Sequence, residues 1–237
     1  DPETLGALVR ACQACYDGAM SYGTPFISGK DSLNNAFVRD DGKRISIPHT
    51  LLISAIGLVD DINKCVTMDV KEAGNLLFIV GQTKNELGGS HYYKVQDRLG
   101  ANVPKLDIKV AAETARRISL AIQKGLVRAC HDCSEGGLAT ALAEMAFAGG
   151  LGIEADLRGL PFAEDCIRTD VQLFSESNAR YIVEVEPEHY HTFAEMMLNL
   201  PFGQIGSVVE QKRLHITDRK LKTVIDQPLE ILKAAWQ

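Results

Sequence analysis

At 237 residues, 46% of them hydrophobic and 24% charged, the chain has the balance of a globular protein with one large domain or one and a half. Its net charge of −6 argues against nucleic acid or a membrane surface as the main partner, so an anionic metabolite would need local amides or cations to hold it. No apolar run approaches the roughly 20 residues of a membrane span, and residues 1–30 lack the basic-then-apolar order of a signal peptide, so a cytoplasmic protein is expected.

The chain opens on Asp1-Pro2 without Met and a helical pattern begins almost at once, which predicts a fragment of something longer. From Glu3 to Tyr22, the residues Leu5, Leu8, Val9, Cys12, Cys15, Ala19 and Met20 share one helical face, and Gly23 closes the element. Pro25 to Ser28 reads as a brief strand ending at Gly29, followed by a polar loop from Lys30 to Asn35. Within Ile45–Val59, the stretch Thr50–Leu58 has so little polar content that a strand buried on both faces is predicted. Asp60-Asp61 ends it, the composition turns polar to about Lys71, and Glu72–Asn75 is a linker-like turn, so a domain boundary is expected near residue 70.

Leu76–Val80 reads as a strand closed by Gly81, and Glu86–His91 as a turn with a glycine pair beside a hydroxyl. Asp107–Lys124 is an amphipathic helix with Val110, Ala111, Ala115, Ile118, Ala121 and Ile122 inward and Gly125 at its end. Val127–Cys130 is a short strand. After a polar turn, Leu138, Ala141, Leu142, Met145 and Ala146 mark one face of a helix that Gly149-Gly150 stops. Gly152–Leu157, Gln172–Phe174, Ile205–Val209 and Arg213–Thr217 read as strands, as does Arg180–Glu186 with Tyr181, Val183 and Val185 on one face. Glu188–Leu198 and Leu229–Trp236 read as helices. Strands also follow one another without a helix between, so the expected fold is mixed α/β (α+β): a mixed β-sheet with packed helices.

The chemistry concentrates in the run His131-Asp-Cys-Ser-Glu-Gly-Gly-Leu138, a strand end, turn and helix start. A glycine pair lets backbone approach an anion, and the first amides of a helix point outward toward it. Asp132 and Glu135 would repel a bare phosphate, so a cation such as Mg2+ between acid and phosphate is the consistent arrangement. A capped, ligand-free turn is the competing reading. Gly29-Lys30-Asp31-Ser32 offers close approach, a cation and a hydroxyl, but fails as a P-loop because Gly23 is one residue too far away and Asp31 stands where the Mg2+-binding hydroxyl belongs. Gly88-Gly89-Ser90-His91 and Phe174-Ser-Glu-Ser-Asn178 are further polar loops at element ends, each equally readable as a plain connection. His131, Asp132 and Ser134 sit too close together in sequence to act as a hydrolase triad. Six cysteines include two Cys-x-x-Cys gaps, but Cys12 and Cys15 fall in a helix and Cys130 at an inward strand end, which predicts buried free thiols in place of a zinc site.

The run from His131 through Ala-Glu-Met-Ala-Phe-Ala-Gly-Gly150 resembles the His-Asp-x-Ser-Asp-Gly-Gly-Leu segment in the second half of the phosphoribosylformylglycinamidine synthases, with Glu135 where that family usually has Asp. Three further segments match in order: Pro25–Leu33 resembles the family's Ser-Gly-Asn/Lys-x-Ser loop, Gly88–His91 its Leu-Gly-Gly-Ser turn, and Phe174–Ser177 its Ser-Glu-Ser segment. The last 50 or so residues add little to the resemblance.

The resemblance implies a fold of the aminoimidazole ribonucleotide synthetase C-terminal type in residues 67–237, preceded in residues 1–66 by the closing part of the companion N-terminal domain. It implies an ATP-dependent ligase of purine biosynthesis that makes formylglycinamidine ribonucleotide from formylglycinamide ribonucleotide and glutamine-derived ammonia. ATP and Mg2+ are the implied cofactors, and the partners would be a glutaminase domain or subunit and the remaining half of the synthase. Carried over by position, Gly29, Lys30, Asp132 and Ser134 would bind nucleotide and Asp132 would hold the metal. Ser32, Gly88, Gly89, Ser90, Ser175, Glu176 and Ser177 would bind substrate or phosphate. No catalytic residue is assigned. Small forms of the enzyme have a metal-binding asparagine where Lys30 stands, which favours a phosphate contact there. The rivals are another enzyme of the aminoimidazole ribonucleotide, selenophosphate and thiamine-phosphate superfamily, a nucleotide-locked structural module without turnover, and a non-catalytic anion-binding protein.

Overall fold

Helix α1, Pro2–Tyr22, stops where Gly23 turns left-handed (φ 67°) and the Thr24 amide reaches back to the Ala19 carbonyl at 3.1 Å. This computed structural model describes residues 2–32 and 36–237, so Leu33, Asn34 and Asn35 of the expected polar loop lie outside the described residues. The chain divides into two compact units, Asp1–Asp60 and Asp61–Gln237. Besides α1, the first unit contains a two-stranded antiparallel hairpin, β1 (Ala36–Val38) with β2 (Arg44–Ser46). Its turn is closed by Gly42 at φ 78° and by the Asp41 carboxylate accepting from the Lys43 amide.

Two strand expectations fail in this unit. Pro25–Ser28 and Thr50–Leu58 are irregular chain, and Leu52, Ile56 and Leu58 are 86%, 89% and 98% exposed. An apolar run becomes a strand buried on both faces only beside neighbouring strands, and among the described residues none pairs with either stretch. No residue of α1 is buried, so its apolar stripe also faces outward.

The second unit is built on a seven-stranded sheet ordered β4-β6-β3-β7-β5-β8-β9. The strands are β3 (Leu76–Val80), β4 (Ala129–Asp132), β5 (Gly152–Asp156), β6 (Tyr181–Val185), β7 (Phe202–Val209), β8 (Arg213–Thr217) and β9 (Thr223–Pro228). Every pairing is antiparallel except β5 with β8, which makes the sheet mixed as expected. The helices are α2 (His91–Val95), α3 (Ile108–Gln123), α4 (Gly137–Gly149), α5 (Thr169–Phe174), α6 (Tyr190–Met196) and α7 (Leu229–Trp236).

The pleat of β3 sorts the core into two layers. Leu77 and Ile79 face α4, where Leu138, Leu142 and Met145 pack, whereas Phe78 and Val80 face α3 and α6, where Ile118, Phe193 and Met197 pack. Helices therefore cover both sheet faces. That explains a departure from the expected alternation in β6: Ile182 and Glu184 are as buried as Val183 and Val185. The buried Glu184 carboxylate is satisfied by the Lys71 and Glu72 amides at 2.8 and 3.1 Å and the Asn75 side-chain amide at 2.7 Å. It pins the chain where it enters β3. In α4, Ala139 and Ala143 are buried as well as the expected stripe, because α5 and α7 lie against the helix on the side away from the sheet.

Gln172–Phe174 is part of α5, not a strand. The Gln172 amide bonds to the Arg168 carbonyl, and Val171 and Leu173 are buried in the resulting turn; a three-residue apolar run does not by itself distinguish the two periods. The sequence reading passed over α2 and β9. In α3, Thr114 takes the buried position expected of Val110, which is 38% exposed. Cys133 and Cys166 are buried and Cys130 is half-buried, but Cys12 and Cys65 are exposed, so buried thiols hold for only part of the set; Cys12 and Cys15 lie in the first unit.

Replacing Glu184 with Ala leaves three donors without their charged acceptor and is expected to destabilise the second unit by about 3 kcal/mol or more, read from denaturant unfolding. Burial pushes the Cys130 thiol up to about 12 and the Cys133 and Cys166 thiols up to about 11. At pH 8 only about one in a thousand of the last two is thiolate, so iodoacetamide is expected to label Cys12 and Cys65 while Cys133 and Cys166 react only on unfolding, as mapped by peptide mass spectrometry.

Candidate functional site

Three of the four sequence segments meet at one end of the sheet in the second unit. Strand β4 delivers Asp132 to the surface, residues 133–136 turn, and α4 begins at Gly137. Gly136 and Gly137 have φ of 79° and 70°. A side chain at Gly137 would put its Cβ 2.5 Å from the Ser175 carbonyl oxygen, so the pair serves close packing of this turn on the 174–176 segment. The Gly136 amide donates to Glu176 Oε1 at 2.9 Å, and the same oxygen accepts the His91 amide at 2.8 Å. One carboxylate thus ties the 88–91 turn, the 133–136 turn and its own loop together.

Other polar groups of these loops are bonded within the protein. Ser175 Oγ donates to the Lys84 carbonyl at 2.6 Å and accepts the Glu86 amide at 3.2 Å, and Ser177 Oγ accepts the Lys84 amide at 3.0 Å. Ser90 is buried and caps α2 by accepting the Tyr93 amide. The Gly88 and Gly89 amides donate to the Asn102 and Leu99 carbonyls at 2.9 and 2.7 Å.

Beneath them lies Arg180, only 1% exposed. Its Nε donates to the Ser177 carbonyl at 2.9 Å, Nη1 to Thr83 Oγ1 at 2.9 Å, and Nη2 to the Ser175 carbonyl. Burial pulls the guanidinium below its usual value, opposed by the nearby Cys133, Cys166, Glu86 and Glu176; it remains a cation. Gly81, at φ 111°, makes room for it, since a Cβ there would sit 2.9 Å from Arg180 Cα and 2.3 Å from the Ala179 oxygen.

The 132–135 and 176–181 segments wall a cleft of about 330 Å3 whose lining includes Asp132, Ser134, Glu135, Glu176, Asn178 and Arg180, while Gly88, Gly89, Ser90, Ser175 and Ser177 stay out of its wall. Ala179, also in the wall, holds a left-handed φ of 55°, a strained conformation of the kind that clusters at ligand sites. At the mouth the Ser134 hydroxyl donates to Asp132 Oδ2, so acid and hydroxyl act as one unit. Hard oxygen donors of this kind suit Mg2+. Among the described residues, three metal-ligating side chains gather within 4.8 Å only at the Glu186, Glu188 and His189 turn, away from the cleft. A cation in the cleft would therefore draw on one or two carboxylates, which is how Mg2+ is held when phosphate oxygens and waters complete its shell. A second hollow of about 270 Å3 near β5, β8 and β9 has its Arg213 neutralised by Asp226 at 2.7 Å.

The fourth segment lies in the first unit. Gly29, Lys30 and Ser32 are in exposed irregular chain, with Lys30 Nζ donating to the Asp31 carbonyl and to Ser32 Oγ, both at 2.6 Å. Sequence reasoning missed Arg180, taken only as the first residue of a strand. Its available signal was a charged residue between a Ser-Glu-Ser-Asn loop and an apolar run.

Residues 72–219 match the family described as AIR synthase related protein, C-terminal domain. The chain belongs to this family. Phosphoribosylformylglycinamidine synthase subunit PurL of Alkaliphilus metalliredigens is 36% identical over 189 residues, 78% of this chain and 24% of that protein. The subunit of the same name from Synechocystis sp. is 35% identical over 244 residues, covering all of this chain and 31% of that protein. The chain thus spans less than a third of these curated relatives, and the resemblance drawn from the four ordered segments leads to the same proteins. Among solved structures, T. maritima PurL complexed with FGAR superposes at a TM-score of 0.64 with 21% identity, over 72% of this chain and 30% of that one. T. maritima PurL complexed with ATP gives 0.59 with 22% identity, over 72% and 27%. These superpositions show that the fold is that of the AIR synthase C-terminal domain.

Gly137→Ala combines a left-handed φ with a clash against backbone and is expected to cost about 2 kcal/mol in denaturant unfolding. The same substitution at Gly125, equally left-handed but with open space around it, is expected to cost less.

Proposed function

We propose that this chain is part of a phosphoribosylformylglycinamidine synthase, an ATP-dependent carbon–nitrogen ligase of purine biosynthesis. In this reading residues 1–66 finish a synthetase-like N-terminal domain and residues 67–237 form the C-terminal domain. The full enzyme converts formylglycinamide ribonucleotide, glutamine-derived ammonia and ATP to formylglycinamidine ribonucleotide, ADP and phosphate. The observation that carries the reading is the cleft, where Asp132 and Ser134 stand at a strand end beside loops locked by Glu176 and Arg180, within a family whose relatives bear that name.

Phosphorylating an amide oxygen and displacing the phosphate with ammonia needs placement and charge neutralisation more than covalent help. Asp132 would hold Mg2+ and Ser134 would contact the nucleotide. Mg2+, when bound, supplies screening of phosphate charge. In the first unit Gly29 would lie against ATP, Ser32 would meet substrate, and Lys30 would turn from its own loop toward a phosphate. Ser175, Glu176 and Ser177 would shape the phosphate pocket by tying the 84–86, 88–91 and 133–136 segments to their own loop, and Gly88, Gly89 and Ser90 by fixing their turn on Asn102, Leu99 and Tyr93. The partners would be the remaining half of the synthase and a glutaminase domain or subunit. The exposed apolar side chains Leu52, Ile56 and Leu58 support a covering partner for the first unit.

The tight internal bonding of these loops also favours a second reading, in which nucleotide is held here as a structural element without turnover. Bound nucleotide that neither exchanges nor hydrolyses over many turnovers of the enzyme would select it.

Asp132→Ala is expected to weaken Mg-nucleotide binding on the order of tenfold or more, about 1.4 kcal/mol or more by calorimetry. Unchanged affinity would remove the metal-nucleotide assignment.

A further inference from the structure

Asp132 does not stand alone at the cleft mouth. Behind it, the ring of His131 lies between two carboxylates, with Nδ1 3.5 Å from Asp132 Oδ1 and Nε2 2.8 Å from Glu144 Oε2. Glu144 projects from α4, two turns beyond the glycine pair, and its other oxygen accepts the indole N–H of Trp236 at 2.9 Å. Trp236 belongs to α7, and its ring sits 5.7 Å from that of Phe147, which anchors the indole on α4. A chain of polar contacts therefore runs from α7 through Trp236, Glu144 and His131 to Asp132, and on to the Ser134 hydroxyl, hydrogen-bonded at each step except His131 to Asp132, which is an ion-pair approach.

The path has a direction. Asp132 is 58% exposed in its side chain, whereas His131 and Glu144 are only 18% and 22% exposed. A carboxylate that binds the far nitrogen of an imidazole fixes the ring's plane and position, and a carboxylate with both oxygens engaged is itself held in one rotamer. A brace between β4 and α4 for stability alone would need neither the indole on Glu144's second oxygen nor the ring's other nitrogen turned to Asp132.

We propose that Glu144 is a positioning residue for the Asp132 carboxylate, acting through the ring of His131, and that Trp236 holds Glu144 in place, so that α7 is part of the metal-nucleotide site. This rests on the reading of Asp132 as the metal-holding residue.

The test compares ADP affinity with Mg2+ and with EDTA, by calorimetry, in the full synthase and in its Glu144→Gln, Trp236→Phe and Asp132→Ala variants. Glu144→Gln is expected to lower the Mg2+-dependent gain in affinity on the order of tenfold while leaving affinity in EDTA unchanged. Trp236→Phe, at an exposed residue, is expected to lower the gain in the same direction by less, and it carries the test if Glu144→Gln does not fold. A purely structural brace would move both affinities together or neither. A gain that survives Glu144→Gln and Trp236→Phe but is lost in Asp132→Ala overturns this inference alone. A gain that is absent from the unmodified synthase, or that survives Asp132→Ala, overturns the metal-nucleotide reading and this inference with it.

Discussion

The buried guanidinium of Arg180 is the constraint on which the cleft depends. A cation taken out of water is tolerated only where its N–H groups find acceptors, and here those acceptors are the carbonyls of Ser175 and Ser177 and the hydroxyl of Thr83. Satisfying Arg180 therefore dictates the path of the 175–178 loop. That path places Glu176 where its carboxylate meets the Gly136 and His91 amides, and through them it sets the two glycine turns. Gly81 and Gly137 are required for the same reason, each lying where any side chain would strike the 174–180 backbone.

An anion seat made of glycine turns need not receive an external anion through every amide. In this structure Glu176 already satisfies the Gly136 amide that closes the 133–136 turn, and Ser175 and Ser177 bond the 84–86 backbone. These groups act as mortar between loops. The side chains that present chemistry to the cleft are then Asp132, Ser134 and Glu135, an acidic and hydroxylic set suited to a hard cation and, through it, to phosphate.

The two units contrast in how far they satisfy themselves. In the second, helices cover both sheet faces and even a mid-strand carboxylate, Glu184, finds three donors. In the first, α1 buries no residue and a nearly continuous apolar run from Thr50 to Leu58 is exposed. The same physical preference, apolar surface away from water, is met in one unit and unmet in the other.

What the sequence determined by itself follows from local periodicity and glycine placement: the mixed sheet with packed helices, strands such as Leu76–Val80, helices such as α3 and α4, and a strand-turn-helix carrying Asp132 and Ser134. Its failures occur where a residue's state depends on distant neighbours. Thr50–Leu58 has the composition of a buried strand but, among the described residues, no strand beside it, and Gln172–Phe174 is too short to reveal its period. Only the tertiary structure decided that Arg180 is buried beneath the Ser-Glu-Ser loop, that Glu176 fills the glycine turn from 40 residues away, and that Trp236 reaches Glu144 across 92 residues. Hydrogen bonds between segments so far apart in sequence leave no periodic trace, because each partner's identity is fixed by packing in space and not by its neighbours in the chain.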